Sequence, residues 1–487
     1  MEIHTLRSRL VTRLSRSPAG VTFLLSLLLS LIATLNAGTV GSDAALYLDI
    51  AQIFTEEGWQ ATYRQFDWPW FSILLAVLHG VTHIPLELLA YGVCALLMAG
   101  ACALMVRFLA GRVPELGWWA CLVVLSVPAF NDYRGEILRE YGYWFFAVLA
   151  LTLCASWAER RGWLRVAAVY AAIMAAMLFR LEALFLAVAV CTWQLLSIRC
   201  LDDLRRAAEL LFFPLAGSVL ALLLYMLFAE AADLPRVSNF LMLLNPGELF
   251  ESLQQMSAQF ADSMISRHSR EDAGKIVLFG VIATLLFKFW QGLGPFAVLI
   301  FYRQGLGQII GRFQPFGWAC FFYFIVLVLF FLQTQFVSGR YISMLGWLAV
   351  PFVAFLAMTF AHRYPRSSKV LAVVNVLVML ANVVSLSPTK THYKDGAQWV
   401  AEHVPPSAAV YFQERRMYYY AGRRIEPVLP VDQVIGSAAS GFDYFVLEFA
   451  AADPRLADFL TRERLHALIS FENSGGEVVT IFARSHR

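Results

Sequence analysis

Acidic and hydroxyl-bearing side chains gather in a short polar segment, residues 41–59, that follows the first long apolar run. Within it Asp43, Tyr47 and Ala51 recur at helical spacing, so they share one helix face. Ser42 or Asp43 could cap such a helix, and the helix dipole also favours a carboxylate there. A carboxylate held at this position could instead accept a proton from an attacking hydroxyl group. Asp43 is therefore a candidate general base, with helix capping as the structural alternative.

A second polar segment, residues 131–144, combines carboxylates and guanidinium groups between two apolar runs. Its charged residues are Asp132, Arg134, Glu136, Arg139 and Glu140. Ion pairs in a solvated loop would explain most of them and would contribute little stability. Arg139 and Glu140, however, stand where the next apolar run begins, and a charge at that depth usually has a specific partner. We expect this pair to act on a substrate.

A third pair of charges, Arg180 and Glu182, interrupts a stretch that is otherwise apolar from Val166 to Val190. Charged side chains inside a bilayer are costly unless they are paired or face water. A structural salt bridge at a tight turn between two membrane helices is one explanation. A substrate site is the other, because a guanidinium and a carboxylate together can bind a polar ligand.

A fourth candidate is Arg340, which is followed by Tyr341 at the start of a late apolar run. It is the only charged residue between Arg312 and His362. A guanidinium group binds phosphate oxygens in a forked geometry, which makes an anionic ligand plausible here. The structural alternative is a lone arginine that extends to the lipid head groups.

The composition decides what kind of molecule must position these residues. Of the 487 residues, 59% are hydrophobic and only 15% are charged, against about 25% in an ordinary soluble domain. This indicates a polytopic membrane protein and excludes a soluble enzyme with one anchor, a secreted disulfide scaffold and a disordered chain. A net charge of +3 is too small to indicate nucleic acid as a partner. The seven cysteines form no C-x-x-C pair, so we expect neither a disulfide framework nor a metal cofactor.

Eleven apolar runs are candidates for membrane-spanning helices, each of which needs about 20 apolar residues. The runs are 21–37, 86–106, 116–130, 141–158, 163–179, 183–198, 209–228, 276–301, 315–334, 341–361 and 370–387. An odd number of spans places the two termini on opposite sides of the membrane. The shorter run at 68–83 begins with aromatic residues and is interpreted as a helix at the membrane interface.

The distribution of basic residues supports this count, because cytoplasmic loops are rich in arginine and lysine. The N-terminal group Arg7, Arg9, Arg13 and Arg16 precedes the first run, which we interpret as an uncleaved helix rather than a signal peptide. Every second loop is then predicted to be cytoplasmic. Those loops carry Arg107 and Arg112; Arg160, Arg161 and Arg165; Arg199, Arg205 and Arg206; Arg303 and Arg312; and Arg363, Arg366 and Lys369.

The last hundred residues, 388–487, have a different composition, with 23 charged residues and no apolar run long enough to span. Strand-like segments at 408–412, 442–449, 466–471 and 477–482 alternate with helical patterns at 394–403 and 453–465. This favours a small α/β domain outside the cytoplasm. We therefore divide the chain into a cytoplasmic N-terminus (1–19), a membrane domain (20–387) and this domain. The membrane domain includes outer loops at 38–85 and 230–275, the second with an amphipathic stripe at 247–265.

The order of these features resembles the GT-C integral-membrane glycosyltransferases over roughly residues 20–390. The shared features are the Asp43–Tyr47 loop, the Trp68-Pro69 stretch, the Arg180-Leu181-Glu182 turn, the Arg340-Tyr341 pair and the outer domain. The likeness is greatest to the family of the protein O-mannosyltransferases, the lipid A aminoarabinose transferases and the bacterial uronosyl transferases. It implies an all-α polytopic membrane domain of GT-C type, with about 11 transmembrane helices, followed by a small α/β extracytoplasmic domain.

The resemblance also implies an activity, namely inverting transfer of a sugar from a polyprenyl-phosphate donor to an extracytoplasmic acceptor. It makes Asp43 the base and Glu140 the second catalytic acid. It implies that the donor phosphate is bound by Arg139, Arg180, Arg340 and Tyr341, and that the substrates are also contacted by Tyr47, Glu136 and Glu182. Two positions depart from the common pattern: Ala44 stands where many relatives have a second acid, and Arg139 stands where many have aspartate.

The expected setting is a bacterial inner membrane, with the N-terminus in the cytoplasm and the active site and C-terminus outside. The expected partners are the lipid-linked donor, the acceptor and the bilayer, without nucleic acid. A multi-span transporter or flippase is the main alternative, although the internal repeats typical of that class are not evident. A polysaccharide ligase or polymerase is a further alternative that would also use a lipid-linked sugar.

Overall fold

The computed structural model describes residues 17–228, 245–264, 270–302, 311–384, 388–425, 429–435, 441–448 and 454–485, together with residues 238, 242 and 309. The basic N-terminal group and part of the predicted loop 230–275 lie outside these residues. The chain forms two compact units. The helical unit comprises residues 1–30, 94–134 and 139–383, and the mixed unit comprises residues 31–93, 135–138 and 384–487.

The described part of the helical unit consists mainly of apolar helices. Two of them, Pro18–Ala37 and Leu86–Arg112, continue into the mixed unit. The others are Leu116–Ser126, Pro128–Asn131, Glu140–Glu159, Trp163–Phe179, Leu184–Leu196, Leu201–Phe228, Pro246–Ser263, Ala273–Leu293, Phe316–Thr334, Gly339–Arg363 and Pro365–Val384. Short 3-10 helices cover Leu181–Ala183 and Gly294–Phe301.

Seven helices among the described residues are long and apolar enough to cross a membrane. They are Pro18–Ala37, Leu86–Arg112, Glu140–Glu159, Ala273–Phe301, Phe316–Thr334, Gly339–Arg363 and Pro365–Val384. Four shorter apolar helices accompany them, at Trp70–Thr82, Leu116–Ser126, Trp163–Phe179 and Leu181–Leu196. Each of the eleven predicted apolar runs overlaps one or two of the described helices, and the chain is a multi-pass membrane protein.

Gly339–Arg363 is the best-buried candidate span, with 78% of its most apolar window inside the protein. Its Trp347 stacks on Phe130 with ring centroids 4.3 Å apart and lies 6.2 Å from the Trp144 ring. Rigid aromatic rings of this size bury large apolar areas, which stabilises the packing of neighbouring helices. This core fixes where the first turn of Gly339–Arg363 lies within the unit.

Contacts bring the five predicted cytoplasmic loops of the helical unit together. Arg112 bonds both to Glu159 (2.8 Å) and to the carbonyl oxygen of Arg312 (3.4 Å). The remaining loops are joined by Arg161 to Asp202 (3.6 Å) and by His362 to Glu115 (3.7 Å). The basic loops therefore share one end of the helices, as alternate loops of a polytopic chain must.

The mixed unit contains a four-stranded sheet in the order β1-β2-β4-β3. Its strands are β1 (Val410–Phe412), β2 (Tyr444–Glu448), β3 (Leu465–Glu472) and β4 (Val478–Arg484). β1 pairs with β2 in parallel, and the other two pairings are antiparallel. Each strand overlaps one of the four predicted strand segments, and β3 and β4 extend one or two residues beyond theirs. The expected combination of a helical membrane part and a small α/β part is confirmed.

The mixed unit also contains helices, of which Thr391–His403, Arg415–Tyr420 and Pro454–Glu463 contact the sheet. The helices are Ser42–Glu57, Trp59–Gln65, Trp70–Thr82, Thr391–His403, Arg415–Tyr420, Val431–Gln433 and Pro454–Glu463. A buried cluster that includes Tyr411, Phe445, Phe459 and Phe482 joins the sheet to its helices. The Val40 amide donates to the Tyr420 hydroxyl oxygen (2.9 Å), which ties the start of the Ser42–Glu57 segment to the C-terminal part.

Candidate active site

Four residues of the helical unit form a buried charged group that we call the Arg180 cluster: Arg180, Glu140, Glu182 and Tyr341. Arg180 donates through Nη1 to Glu140 Oε1 (2.7 Å) and through Nη2 to Glu182 Oε1 (2.8 Å). Its guanidinium carbon lies 4.4 Å from the centroid of the Tyr341 ring. The Arg180 and Glu140 side chains are only 6% and 4% exposed. Charge-assisted bonds in such surroundings are strong and specify one geometry.

Local backbone structure explains why these charges meet. Helix Trp163–Phe179 ends at Arg180, whose extended backbone (φ −148°, ψ 120°) turns the chain into the short helix with Glu182. Glu140 opens the neighbouring helix, and Gly142 lies directly against Phe179. A Cβ atom on Gly142 would lie 2.2 Å from the Phe179 ring, so only glycine permits this approach.

Each carboxylate of the cluster has one oxygen bonded to Arg180, but Glu140 Oε2 has no hydrogen-bond partner among the described residues. A buried acceptor without a donor is costly, and such an atom often marks a place for a ligand or an ordered water. Arg139, the residue before Glu140, is also buried, and its charge acts on Glu182. The cluster therefore combines one guanidinium group with two carboxylates, has a second guanidinium group beside it at Arg139, and presents an available carboxylate oxygen.

Further cations lie at the start of helix Gly339–Arg363. Arg340 is the second residue of this helix, and its amide donates to the side chain of Ser338 (3.4 Å). Lys288 donates through Nζ to the Val337 carbonyl oxygen (2.7 Å). Because Val337 lies just before Arg340 in the chain, this bond brings a second positive charge to the start of the helix. Lys288 was not among the site residues predicted from the sequence. Its signal was visible, since a lysine in the apolar helix Ala273–Leu293 is unexpected without a function.

The remaining predicted residues lie in the mixed unit. Asp43 stands in the first turn of helix Ser42–Glu57, where it is half-buried. A Cβ atom on Gly41 would lie 3.9 Å from Glu136 Oε2, so the Glu136 carboxylate adjoins the beginning of the same helix. Tyr47 is buried and packs edge-on against Phe71, with ring centroids 5.4 Å apart.

An ion-pair group at the far end of this helix was not predicted. Arg424 contacts Asp49 (3.6 Å), Glu57 (3.3 Å) and Glu56. Asp49 is buried and also accepts from the Ile425 amide (3.4 Å). Burial raises the pKa of Asp49 above its usual value, although Arg424 and the Ile425 amide oppose that shift. Because Asp49 lies among apolar neighbours in sequence, only the tertiary structure reveals its partner.

The structure therefore gathers the predicted residues into two groups. In the helical unit, Arg180, Glu140, Glu182 and Tyr341 are in contact, with Arg139 and Arg340 adjoining them in the chain. In the mixed unit, Asp43 and Glu136 adjoin the first turn of helix Ser42–Glu57, and Tyr47 lies one turn further on. The Arg180 cluster forms at the ends of helices Glu140–Glu159 and Trp163–Phe179 that are opposite to their basic loops.

This architecture defines a class of membrane protein, and solved structures identify its fold. Neither a protein-family model nor a curated protein sequence matches the chain. The structure of ArnT from Cupriavidus metallidurans in the apo state matches with a TM-score of 0.59 at 13% identity, covering 95% of this chain and 97% of ArnT. The structure of the same protein bound to undecaprenyl phosphate matches with a TM-score of 0.59 at 14% identity, with the same coverage.

A further match is the arabinofuranosyltransferase AftD from mycobacteria, with a TM-score of 0.41 and 15% identity. It covers 96% of this chain but 40% of AftD, and a likeness at that score does not define a common fold. The ArnT matches extend over nearly the whole of both chains. The chain therefore has the GT-C fold, as the resemblance in its sequence implied.

Proposed function

We propose that this protein is a membrane glycosyltransferase that moves a sugar from a polyprenyl-phosphate carrier to an extracytoplasmic acceptor with inversion. The observation that carries the proposal is the buried Arg180 cluster, formed by three helices of a fold shared with ArnT. Charged side chains inside an apolar bundle are costly and commonly mark a functional site, and the available Glu140 oxygen and the neighbouring cations suit a sugar hydroxyl and a phosphate. ArnT is itself described with undecaprenyl phosphate bound.

The donor phosphate is assigned to three cations: Arg139 and Arg340, which adjoin the cluster in the chain, and Lys288, which is bonded to the Val337 carbonyl just before helix Gly339–Arg363. The leaving group in this reaction is a polyprenyl phosphate, whose negative charge grows as the bond to the sugar breaks. Fixed cations in a site that excludes water stabilise that charge more strongly than water-exposed ones do. The Tyr341 ring packs against the Arg180 guanidinium and so helps to position it. Tyr341 follows Arg340 directly in the chain.

Arg180 acts mainly through the two carboxylates that it holds. Both of its terminal nitrogens are bonded to Glu140 and Glu182, so it fixes these side chains in place. Glu140 Oε2 is then available to accept a hydrogen bond from a hydroxyl group of the sugar or the acceptor. Glu182 is bonded to Arg180 and also interacts with the positive charge of Arg139, and it forms the remaining part of the proposed binding site.

Asp43 is the proposed general base, with Glu136 and Tyr47 as further substrate-binding residues of the mixed unit. The acceptor oxygen attacks the anomeric carbon, the bond from that carbon to the phosphate oxygen breaks, and the acceptor proton passes to Asp43. Attack opposite to the leaving group inverts the anomeric configuration. Asp43 stands in the first turn of helix Ser42–Glu57 and is only half-buried, which suits a carboxylate that an acceptor must reach.

The same arrangement supports the orientation expected from the sequence. Because the basic loops share one end of the helices and the Arg180 cluster lies at the other, we place the cluster on the extracytoplasmic side. In this orientation residues 1–19 are cytoplasmic, residues 20–387 form the membrane domain and residues 388–487 form an extracytoplasmic domain. A bacterial inner membrane is the proposed location.

The donor site is tested by binding of undecaprenyl phosphate to the purified full-length protein in detergent, measured by native mass spectrometry. We expect binding to fall at least tenfold in Arg340→Ala and in Lys288→Met. Arg366→Ala removes an exposed cation in the first turn of the next helix, Pro365–Val384, beyond the opposite end of helix Gly339–Arg363, and serves as the matched control. Equal binding in all four proteins would contradict the assignment of the donor phosphate.

Transfer is tested separately, with a panel of undecaprenyl-phosphate-linked hexoses and pentoses added to membranes that contain the protein. Release of undecaprenyl phosphate coupled to the appearance of a glycosylated product supports the transferase. Movement of an intact lipid-linked sugar across the membrane, without product, would instead support a transporter or flippase.

A further inference from the structure

Three side chains of the mixed unit, outside the proposed active site, converge on one point. They are His392 in the first turn of helix Thr391–His403, Glu448 at the end of β2 and Glu477 immediately before β4. One ligand atom from each lies within 4.8 Å of the other two. We propose that these residues bind a divalent transition-metal ion, for which Zn²⁺ is the natural probe.

The state of His392 is the main argument for an ion. Its side chain is fully buried, yet neither ring nitrogen has a hydrogen-bond partner among the described residues. A buried imidazole without a partner is costly, and native proteins seldom leave one in that state. Two carboxylates lie close by without forming a bond to it, so a metal ion between the three groups would satisfy all of them.

The two carboxylates are already oriented as metal ligands usually are. The Tyr393 hydroxyl donates to Glu448 Oε2, and Asn473 Nδ2 donates to Glu477 Oε2 (2.7 Å). Hydrogen bonds from outside a metal site commonly hold its ligands in this way. Asn473 is itself fixed, because its Oδ1 accepts the amide of Glu477 (2.9 Å).

The chemistry of the ligands indicates the class of ion. One imidazole and two carboxylates suit zinc, with distances of about 2.0–2.2 Å to nitrogen and oxygen, and water can complete a tetrahedral shell. An imidazole ligand favours a transition metal over Mg²⁺ or Ca²⁺. Two carboxylates neutralise the charge of a divalent ion, and Glu477 is exposed, which gives the ion a route from solvent.

Neighbouring cations do not fill this position. Arg416 and Lys390 lie over the Tyr393 ring, 4.8 and 5.7 Å from its centroid. Their charges act on His392 from outside the three ligands, and neither forms an ion pair with Glu448 or Glu477 among the described residues. The ion would join helix Thr391–His403 to β2 and to the turn before β4, and so stabilise the sheet with its covering helix.

The experiment measures zinc content and thermal stability of the purified full-length protein in detergent. The protein is treated with EDTA, incubated with ZnSO₄, desalted and analysed by mass spectrometry of the metal. We expect about one more Zn²⁺ per chain in the wild type than in His392→Ala. We also expect the unfolding temperature to rise with added Zn²⁺ in the wild type, because a ligand that binds only the native state stabilises it.

Two further variants make the test decisive. His403→Ala changes an exposed histidine of the same helix and should keep both the zinc and the thermal shift. Glu477→Gln keeps the size of an exposed side chain, so it should fold normally, bind zinc at least tenfold more weakly and lose most of the shift. Equal zinc content and equal thermal shifts in the wild type, His392→Ala and Glu477→Gln would overturn the proposal, and so would a wild type that binds no zinc.

Discussion

Arg180 in the helical unit and Arg424 in the mixed unit each hold more than one carboxylate, but in opposite surroundings. The Arg180 side chain is 6% exposed and its bonds are 2.7 and 2.8 Å long. The Arg424 side chain is 39% exposed, and its contact with the buried Asp49 is longer, at 3.6 Å. A paired charge without access to water cannot lose its partner cheaply, whereas water replaces much of what an exposed pair loses.

This difference is consistent with the proposed active site at Arg180 and with a structural connection at Arg424. The Arg180 cluster retains an available carboxylate oxygen at Glu140, and cations adjoin it at Arg139 and Arg340. The Arg424 group has its acids on one helix, Ser42–Glu57, and connects that helix to the segment after Arg415–Tyr420. We interpret Arg424 as a residue that positions the helix carrying Asp43.

The largest effect on stability is expected for Arg180→Ala. This change leaves the buried Glu140 and the partly buried Glu182 without their cation, and the loss of one partner of a buried pair typically costs about 3–5 kcal/mol. Thermal unfolding of the purified protein in detergent measures the effect. Asp202→Ala, which removes the exposed partner of Arg161, is the control and should cost under about 0.5 kcal/mol. Equal effects of the two changes would show that the Arg180 cluster is not the buried network described.

Glu140→Gln is expected to reduce sugar transfer by about 10²-fold or more while the protein remains folded. The amide keeps the size of the side chain, but it weakens the bond to Arg180 and the acceptor strength of the available oxygen. Initial rates of product formation at saturating donor measure the loss. Wild-type rates in this variant would remove Glu140 from the reaction.

Arg424→Ala is expected to have a smaller effect, a loss of about 1 kcal/mol after allowance for exposure to water. Water can reach Glu56 and Glu57, which are 63% and 54% exposed, and only Asp49 loses a buried contact. Thermal unfolding beside Arg180→Ala gives the comparison directly. A loss as large as that of Arg180→Ala would contradict the distinction between the two groups.

The smallest expected effect is a pH dependence that arises from Asp49. Because its pKa is raised in the folded protein, the folded state binds a proton more readily than the unfolded state does. The contribution of Asp49 to stability should therefore increase as the pH falls from that raised pKa toward 3.8 and stay constant below it. As the pH falls through this interval, the unfolding temperature of the wild type should rise relative to that of Asp49→Asn. A constant difference, or one of opposite sign, would contradict the shift.

The sequence predicted the elements well because their signals are local. Apolar runs such as 141–158 and alternating segments such as 477–482 record helix and strand directly. Arg180 and Glu140 stood out singly as charges in apolar surroundings, but only the folded chain, in which Gly142 packs against Phe179, shows that they pair.

Groups assembled from distant parts of the chain could not be predicted in this way. Asp49 meets Arg424, and His392 meets Glu448 and Glu477, through tertiary folding alone. No spacing in the sequence relates these residues, because the separations depend on how strands and helices pack. The catalytic role of Asp43 stays a prediction, because a role in a reaction depends on where the substrates bind.

The central claim is tested most directly by sugar transfer from radiolabelled undecaprenyl-phosphate donors in membranes that contain the wild type, Asp43→Asn, Glu140→Gln or the surface control Asp202→Ala. We predict labelled product with the wild type and the control, and a loss of at least about 10²-fold in the other two while undecaprenyl phosphate still binds. Equal transfer by all four proteins, or none from any donor in the panel together with flux of intact donor, would contradict the account.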